Sequence, residues 1–469
     1  MDSLINVCQY FINLGNYIFM PILMCCIGLI FGLKLSKAIK SGAMMGIGLV
    51  GISIVMTLIS DTLGPVIQDV IQKFGLNLIA LDVGASLIAS VGYGSLIGVT
   101  LVVAVIAMNI VLVALKLTNT VNVDVYNFGC LAVTAGIVYL LTGSFLLGVL
   151  AGLTHAILCL KVADILAHRT QQVIGLEAIS IPHPFAAGSA PVFMVLDKIY
   201  DKIPFFAHKK AEENEEELNE KGILHTIGRV LGDRIYLGLI MGLFFGVCAG
   251  YDFKGIADVT IKTAAMMELF PMVVKMLVNA LVPISNAAKQ FFMKHFSDRK
   301  LYIGLDSAIT VGHPVTISVG FLLIPAFLVI AAILPGNITL PLGELPFAAF
   351  YICMATIVHR ANKKRVIASG LIFIPIVLWI ASWGAPFFNQ MALDAGFKLV
   401  ADGQLATTMA IGNIFTFFPT LLACIPGVGA VALILLDILA IFGGKFLEKR
   451  YIKEDKKFES LYGIESESC

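Results

Sequence analysis

Ile39-Lys40-Ser41-Gly42-Ala43-Met44-Met45 and Ile261-Lys262-Thr263-Ala264-Ala265-Met266-Met267 are one phrase written twice, 222 positions apart. A second echo follows each. Leu81-Asp82 with Ser86 in the first half answers to Leu305-Asp306 with Thr310 in the second, offset by 224. Pro65 and Pro283, 218 positions apart, lie between these anchors, and each opens a polar, broken, half-hydrophobic segment. Three matches in the same order imply an internal duplication.

Long apolar runs surround the echoes. The chain has 469 residues, 58% hydrophobic and only 13% charged, where a soluble domain carries about 25% charge. Spanning candidates run over 17–33, 42–60, 97–115, 127–142, 144–166, 235–250, 263–281, 315–334, 346–359, 366–384 and 427–443. Most reach the ~17 residues a helix needs to cross a ~30 Å hydrocarbon core. The runs are continuous and do not alternate apolar with polar, so a porin-type barrel is excluded. The fold class expected is an all-α polytopic membrane protein of about eleven transmembrane helices.

Other classes fall away quickly. A formal net charge of +1 suggests no nucleic-acid partner. The nine cysteines are scattered, with no CxxC pair and no Cys/His cluster. They read as packing residues, so neither metal nor disulfide framework nor other cofactor is expected. Met1 to Gly15 lacks a basic n-region and a small-residue cleavage site, so it reads as an amphipathic lead-in. No Walker loop, nucleotide fingerprint or nucleophilic triad is present.

The charged stretch 205–234, with Glu212, Glu213, Glu215, Glu216, Glu217 and Glu220, must lie in water and divides the chain. Residues 1–204 form a first repeat, with scaffold helices over 17–61 and core elements over 62–204. Residues 235–443 form the second, with scaffold helices over 235–281 and core elements over 282–443. Residues 444–469 are a tail.

Positive charge sets the orientation. Lys34, Lys37 and Lys40 follow the first span with no acid among them, whereas the counterpart loop 251–262 is neutral overall. Conversely, Arg360, Lys363, Lys364 and Arg365 follow a second-half span whose counterpart ends in uncharged Thr142-Gly143-Ser144. Placing every basic loop inside forces the two halves to be inverted. It also makes 63–96 and 282–314 re-entrant, with the N-terminus outside and the C-terminus inside. Inverted repeats with broken segments are a transporter arrangement, because irregular backbone at membrane depth survives only in protein or beside a wet cavity.

Ionisable residues at that depth are candidates for function. Asp82 and Ser86 lie at the first re-entrant tip; Asp306, with Gly312-His313-Pro314 beyond it, lies at the second. Asp124 and Asn127 crowd the start of the fourth span. Glu177 and His183 occupy Leu176-Glu177-Ala178-Ile179-Ser180-Ile181-Pro182-His183-Pro184, where two prolines forbid a continuous helix. A mixture of carboxylates, amides and imidazoles offers the donors and acceptors a neutral polyol needs. The substrate-binding residues expected are therefore Asp82, Ser86, Asp124, Asn127, Glu177, His183, Asp306 and His313. His155 and His359 read as helix-packing residues, and Asn413 stays open.

Asn122-Val123-Asp124, the 176–183 segment, Ile303-Gly304-Leu305-Asp306, Gly312-His313, Pro335-Gly336-Asn337 and Val358-His359-Arg360 together resemble the galactitol-type enzyme IIC of the bacterial phosphotransferase system. The resemblance runs from the first span to the last. It departs at Pro184-Phe185-Ala186-Ala187, where a Gly/Ser/Thr-containing run is expected, and at Phe128-Gly129-Cys130. It implies a homodimeric permease of the ascorbate–galactitol superfamily in the bacterial cell membrane, working as an elevator. In such proteins a sugar-holding core slides against a dimerising scaffold. The sugar alcohol is phosphorylated at the inner face by a phosphocysteine on a separate enzyme IIB, which is served in turn by IIA. No catalytic nucleophile of the chain's own is expected. The carboxylates also leave two rivals: an ion-coupled carrier, and a membrane enzyme using Asp82, Asp306 and His183.

Overall fold

The computed structural model describes residues 16–73, 78–85, 88, 91–92, 95–122, 128–208, 234–295, 301–341, 344, 348–395, 400 and 404–462. Its helices are α1 (Asn16–Ile30), α2 (Leu35–Lys73), α3 (Leu96–Ala114), α4 (Phe128–Thr142), α5 (Phe145–Ile174), α6 (Pro184–Tyr200), α7 (Arg234–Ala249), α8 (Phe253–His295), α9 (Ala308–Val311), α10 (Pro314–Ile333), α11 (Ala348–Val358), α12 (Lys363–Asp394), α13 (Ile414–Ala423) and α14 (Gly429–Tyr462). Each apolar run singled out in the sequence lies on a helix of its own. Counting the described residues alone, five of them, α3, α5, α10, α12 and α14, are long and apolar enough to cross a membrane. The chain is a polytopic helical membrane protein.

Two features depart from expectation. The helix breaks come later than Pro65 and Pro283: α2 continues through Pro65 to Lys73, and α8 runs past Pro283 to His295. A proline deletes one donor and bends a helix, but neighbouring helices hold the bent segment together. The fold is also not purely helical. Among the described residues, six short strands, β1 (Ala80–Asp82), β2 (Thr120–Asn122), β3 (Ile179–Ser180), β4 (Tyr302–Gly304), β5 (Thr339–Leu340) and β6 (Leu405–Thr407), form two three-stranded parallel sheets. Strands of two or three residues leave no periodicity to read.

The pairing of these strands is reciprocal. β1 lies between β5 and β6, with Ala80 opposite both Thr339 and Leu405. β4 lies between β2 and β3, with Ile303 opposite Val121 and Ile179. Each central strand thus comes from one half of the chain and both its neighbours from the other. Gly304 is required at its position, because a Cβ there would meet Pro182 at 2.6 Å and the Asn122 backbone at 3.0 Å.

Helices α1, α2, α7 and α8 pack chiefly on one another. Small residues let their backbones approach: a Cβ on Gly42 would meet the Pro21 carbonyl at 2.5 Å, and one on Gly242 the Thr260 Cα at 2.5 Å. Lys73 Nζ donates to the Cys248 carbonyl (3.1 Å), and the Tyr251 hydroxyl donates to Asp69 (2.7 Å). The turn from α7 to α8 therefore sits at the far end of α2 from Leu35 and its basic loop. Helices α5, α6, α9, α10 and α12 pack around α11, which is buried along nearly its whole length.

Helices α5 and α14 lie side by side and run the same way. Thr154 Oγ1 donates to Asp437 (3.1 Å), Lys161 packs on Gly444, Arg169 Nε donates to Asp455 (2.8 Å) and Gln172 donates to Glu459. At the last of these contacts lies a basic end of the molecule, where Arg169, Arg360 and Arg365 converge on Asp197 and Asp455. The Thr142–Ser144 turn lies at the opposite end of α5.

Candidate functional site

Between the basic end and the Thr142–Ser144 end the chain folds back on itself twice, once from each end. After α5, Gly175 takes the left-handed conformation that closes the helix (φ 72°). β3 then runs back along α5: Gln171 Nε2 donates to the Ile179 carbonyl at 3.0 Å, and the Pro184 carbonyl reaches Cys159 Sγ at 3.9 Å. Helix α6 returns to the basic end, where Asp197 stands 3.6 Å from Arg169. Residues 159 and 169 are about 15 Å apart along a helix, so this segment enters as a strand and leaves as a helix through the same end.

The mirror-image turn comes from the opposite end. β6 runs along α12, with the Ala406 N–H donating to Asn389 (3.0 Å) and Thr407 Oγ1 to the Ala381 carbonyl (3.2 Å). Helix α13 then leads back until Ala423 packs with Val138 and Ala151 near the Thr142–Ser144 turn. The two half-helices meet at their N-termini. Asn413 caps α13 by accepting from the Phe415 N–H (2.8 Å), and its Nδ2 donates to the Pro184 carbonyl (2.9 Å) at the start of α6. Gly188 admits the Asn413 side chain, which a Cβ there would overlap. His155 adds Nε2 to the Asn413 amide (3.3 Å) and Nδ1 to Thr134 (2.9 Å). Its place is structural, as is that of His359, which sits between Asp197 (2.8 Å) and Ser369 (2.7 Å).

The carboxyl ends of the two parallel sheets consequently converge on this depth, where helix N-termini present unpaired N–H groups and positive dipole ends. Beyond β3, His183 caps α6: its Nδ1 accepts from the Ala186 N–H at 3.3 Å. His313 caps α10 in the same manner, accepting from the Val315 N–H at 3.2 Å, and a proline follows each histidine at the first helical position. An accepting Nδ1 places the proton of a neutral ring on Nε2. Each imidazole thus presents an N–H donor away from the helix it caps. Asp306, beyond β4, stands beside His183 and accepts from the Ala308 N–H (2.9 Å) and the Ser307 hydroxyl (3.4 Å).

Beyond β1 and β5 lies a buried carboxylate network. Asp82 accepts from the Gly84 N–H (3.0 Å) with one oxygen and from the Glu344 N–H (2.7 Å) with the other. Glu344 accepts from the Tyr351 hydroxyl (2.6 Å), the Thr408 hydroxyl and the Ala410 N–H (3.4 Å). Thr408 immediately follows β6, so Glu344 ties the end of β1 through its backbone N–H and the end of β6 through its carboxylate. Tyr351 also meets Phe185 edge-on, with ring centroids 4.9 Å apart. That contact joins this network to the His183 side.

Of the residues expected to bind, the fold brings His183 and Asp306 together. It places Asp82 in the adjoining network, as a tie between β1 and the Glu344 backbone. His313 lies half-buried beyond α9 from Asp306. Glu177 is exposed on the turn before β3, away from the convergence. Ser86, Asp124 and Asn127 lie outside the described residues. Sequence reasoning missed Glu344, Tyr351 and Thr408. Glu344 had a signal: it follows Asp124 by 220 positions, close to the repeat offset. Among the described residues no group of His, Cys, Asp and Glu has the arrangement to hold a metal.

A family model described as the PTS system sugar-specific permease component matches residues 10–403. A relative in Escherichia coli K12, provisionally named a permease IIC component, is 42% identical over 446 residues, spanning 95% of this chain and all of its own. The galactitol-specific EIIC component of the PTS system from the same organism is 34% identical over 412 residues, 88% of this chain and 89% of its own. The protein of the same name from Escherichia coli O157:H7 matches to the same extent. With a helical membrane fold on the page and a family match over most of its length, this chain belongs to the sugar-specific permease (EIIC) family of the phosphotransferase system, in its galactitol branch.

Proposed function

We propose that the chain carries galactitol or a related sugar alcohol across the membrane and releases it as the phosphate, made at the basic end by a phosphocysteine on enzyme IIB. One observation carries this reading: the ends of two opposed sheets and the N-termini of two opposed half-helices meet at one depth, beside His183, Asp306 and the Asp82–Glu344 network. Such a place suits a neutral polyol, for which paired donors and acceptors matter and a counter-charge does not. A missing hydroxyl partner leaves a buried polar group unpaired, at a cost of ~1–3 kcal/mol, which is the source of selectivity.

The two halves are inverted repeats in this reading, which the reciprocal strand pairing supports. The basic end faces the cytoplasm, so Lys34, Lys37, Lys40 and the Arg360–Arg365 turn share it, the N-terminus lies outside and the C-terminus inside. Helices α1, α2, α7 and α8 form the dimerising scaffold of a homodimer, and the remaining elements slide against them as an elevator. IIA and IIB are separate partners. Galactitol itself rests on the 34% identical relative.

Vesicles loaded with phosphoenolpyruvate, the general phosphotransfer proteins, IIA and IIB should accumulate galactitol phosphate. Accumulation of unmodified galactitol without IIB would refute the proposal. The buried Asp82–Glu344 pair favours one rival, an ion-coupled carrier. Uptake abolished by an uncoupler, with the phosphoryl donor still present, would turn the assignment that way.

A further inference from the structure

Helix α14 runs on past its most apolar stretch to Tyr462. Its exposed apolar side chains, Leu435, Ile438, Leu439, Phe442 and Phe446, crowd the stretch up to Phe446, and the next is Leu461. Beyond that point its charges are sorted by face. Every acid turns inward and is bonded: Glu448 to Asn119 (2.9 Å), Glu454 to Lys198 (2.6 Å) and Arg450 (3.0 Å), Asp455 to Arg169 (2.7 Å) and Arg360 (2.5 Å), and Glu459 to Gln172. Tyr451 is buried under the same face, with the Arg169 guanidinium 4.8 Å above its ring.

The outer face is cationic. Lys449, Lys453 and Lys456 recur at i, i+4 and i+7, with Lys457 beside them, and all four are exposed. Among the described residues none of the four pairs with an acid. A stripe whose counter-charges have all been turned inward is built to attract something negative.

Reach decides between a membrane and a protein. Lys457 lies eleven residues past Phe446, or about 16 Å along a helix. The headgroup layer on one side of a bilayer is only about 5–8 Å deep. With Phe446 at the hydrocarbon edge and the helix along the bilayer normal, half of the stripe projects beyond the headgroups. Its base is fixed to the α5–α6 fold-back through Arg169 and Lys198, so it travels with the half-helix that ends at the candidate site.

We propose that this stripe is the landing surface for the soluble phosphoryl-donor subunit, which brings the negative charge of its phosphorylated cysteine to this end of the molecule. The inference rests on the permease reading above. The stripe steers the donor to the mouth from which α6 descends to the sugar. Long-range attraction of this kind raises association rate and weakens steeply with salt.

The test uses full-length protein in nanodiscs and purified IIB of the same system, phosphorylated on its cysteine. Lys449→Glu, Lys453→Glu, Lys456→Glu and Lys457→Glu combined should raise the KM for phospho-IIB about tenfold or more at low ionic strength. The difference should shrink at high salt, and the corresponding glutamine set should fall between. Galactitol binding measured by calorimetry should stay at the wild-type value, which certifies the fold. An unchanged KM at low salt overturns the proposal. So does an effect present in nanodiscs containing phosphatidylglycerol and absent in pure phosphatidylcholine, which would make the stripe a lipid-headgroup surface. If wild-type protein neither binds galactitol nor accepts phospho-IIB, the permease reading itself fails, a result distinct from either.

Discussion

Gly188→Ala should be among the most damaging single-methyl additions in the molecule, and its harm should vanish when Asn413 is truncated. The added Cβ would overlap Asn413 Oδ1 and lie 2.7 Å from its Cγ and 3.0 Å from its Nδ2. Backbone fixes both residues, so the asparagine side chain must leave. Its departure breaks the bond to the Pro184 carbonyl (2.9 Å) and the cap on the Phe415 N–H (2.8 Å). A lost N-cap costs about 1 kcal/mol, and the buried His155 Nε2, 3.3 Å from the departing amide, is left unpaired at about 1–3 kcal/mol. Gly188→Ala should therefore destabilise by about 2–4 kcal/mol. Asn413→Ala forfeits the same two bonds and should cost about the same. In the double variant the methyl has nothing left to strike. Its loss should equal that of Asn413→Ala alone, not the additive sum of about 4–8 kcal/mol. Equilibrium unfolding in mixed micelles measures all four corners of the cycle. Additive losses, or a silent Gly188→Ala, would show that the two half-helices do not meet as described.

Glu344→Gln replaces an acceptor oxygen with an amide NH₂ among the donors Tyr351, Thr408 and Ala410. It should destabilise by about 1–3 kcal/mol and weaken galactitol binding in calorimetry, with Tyr351→Phe milder. At the basic end, His208 packs edge-on against Phe458 of the tail helix, ring centroids 4.9 Å apart. Burial above all, then Arg365 and Arg360, pushes this imidazole from 6.5 down to about 4. The unfolded or undocked chain thus binds the proton first on acidification, so stability rises with pH across this window. Docking of the tail should be complete above pH 6.5, weaken from 6.5 towards 4 and then level off. Hydrogen exchange of residues 455–462, corrected for intrinsic rates, reads this directly. His208→Phe should flatten the profile, and an unaltered profile would dismiss His208 as its source.

Much of the architecture was legible because lipid imposes it. Apolar runs of membrane length located the helices. Prolines misled where tertiary packing overrides local chemistry: α2 and α8 absorb Pro65 and Pro283 and pass on. The strands were illegible for a different reason. Two-residue ladders such as β3 and β5 carry no alternation, and their partners lie far away in sequence, as Ala80 and Leu405 show. His183 and Asp306 could be picked out as polar residues in broken apolar segments. Glu344 was hidden in Leu342-Gly343-Glu344-Leu345-Pro346, where one acid before a proline reads as a loop. Its importance comes from accepting bonds from residues 351, 408 and 410, which converge only after the chain has folded.

The reciprocal pairing also constrains how the molecule can move. β1 holds to β5 and β6 by backbone bonds, β4 to β2 and β3, and Asn413 ties α13 to α6. A motion that opened the space between the two half-helices would have to break these buried bonds in an environment without water to replace them, at several kcal/mol for each polar group. Among the described residues, helices α1, α2, α7 and α8 share few such ties with the rest, and an apolar seam slides at little polar cost. Access from alternate sides is therefore less costly as displacement of the whole two-sheet unit against those four helices than as separation of its halves. The physical asymmetry between hydrogen-bonded core and apolar seam is what favours the elevator reading proposed above.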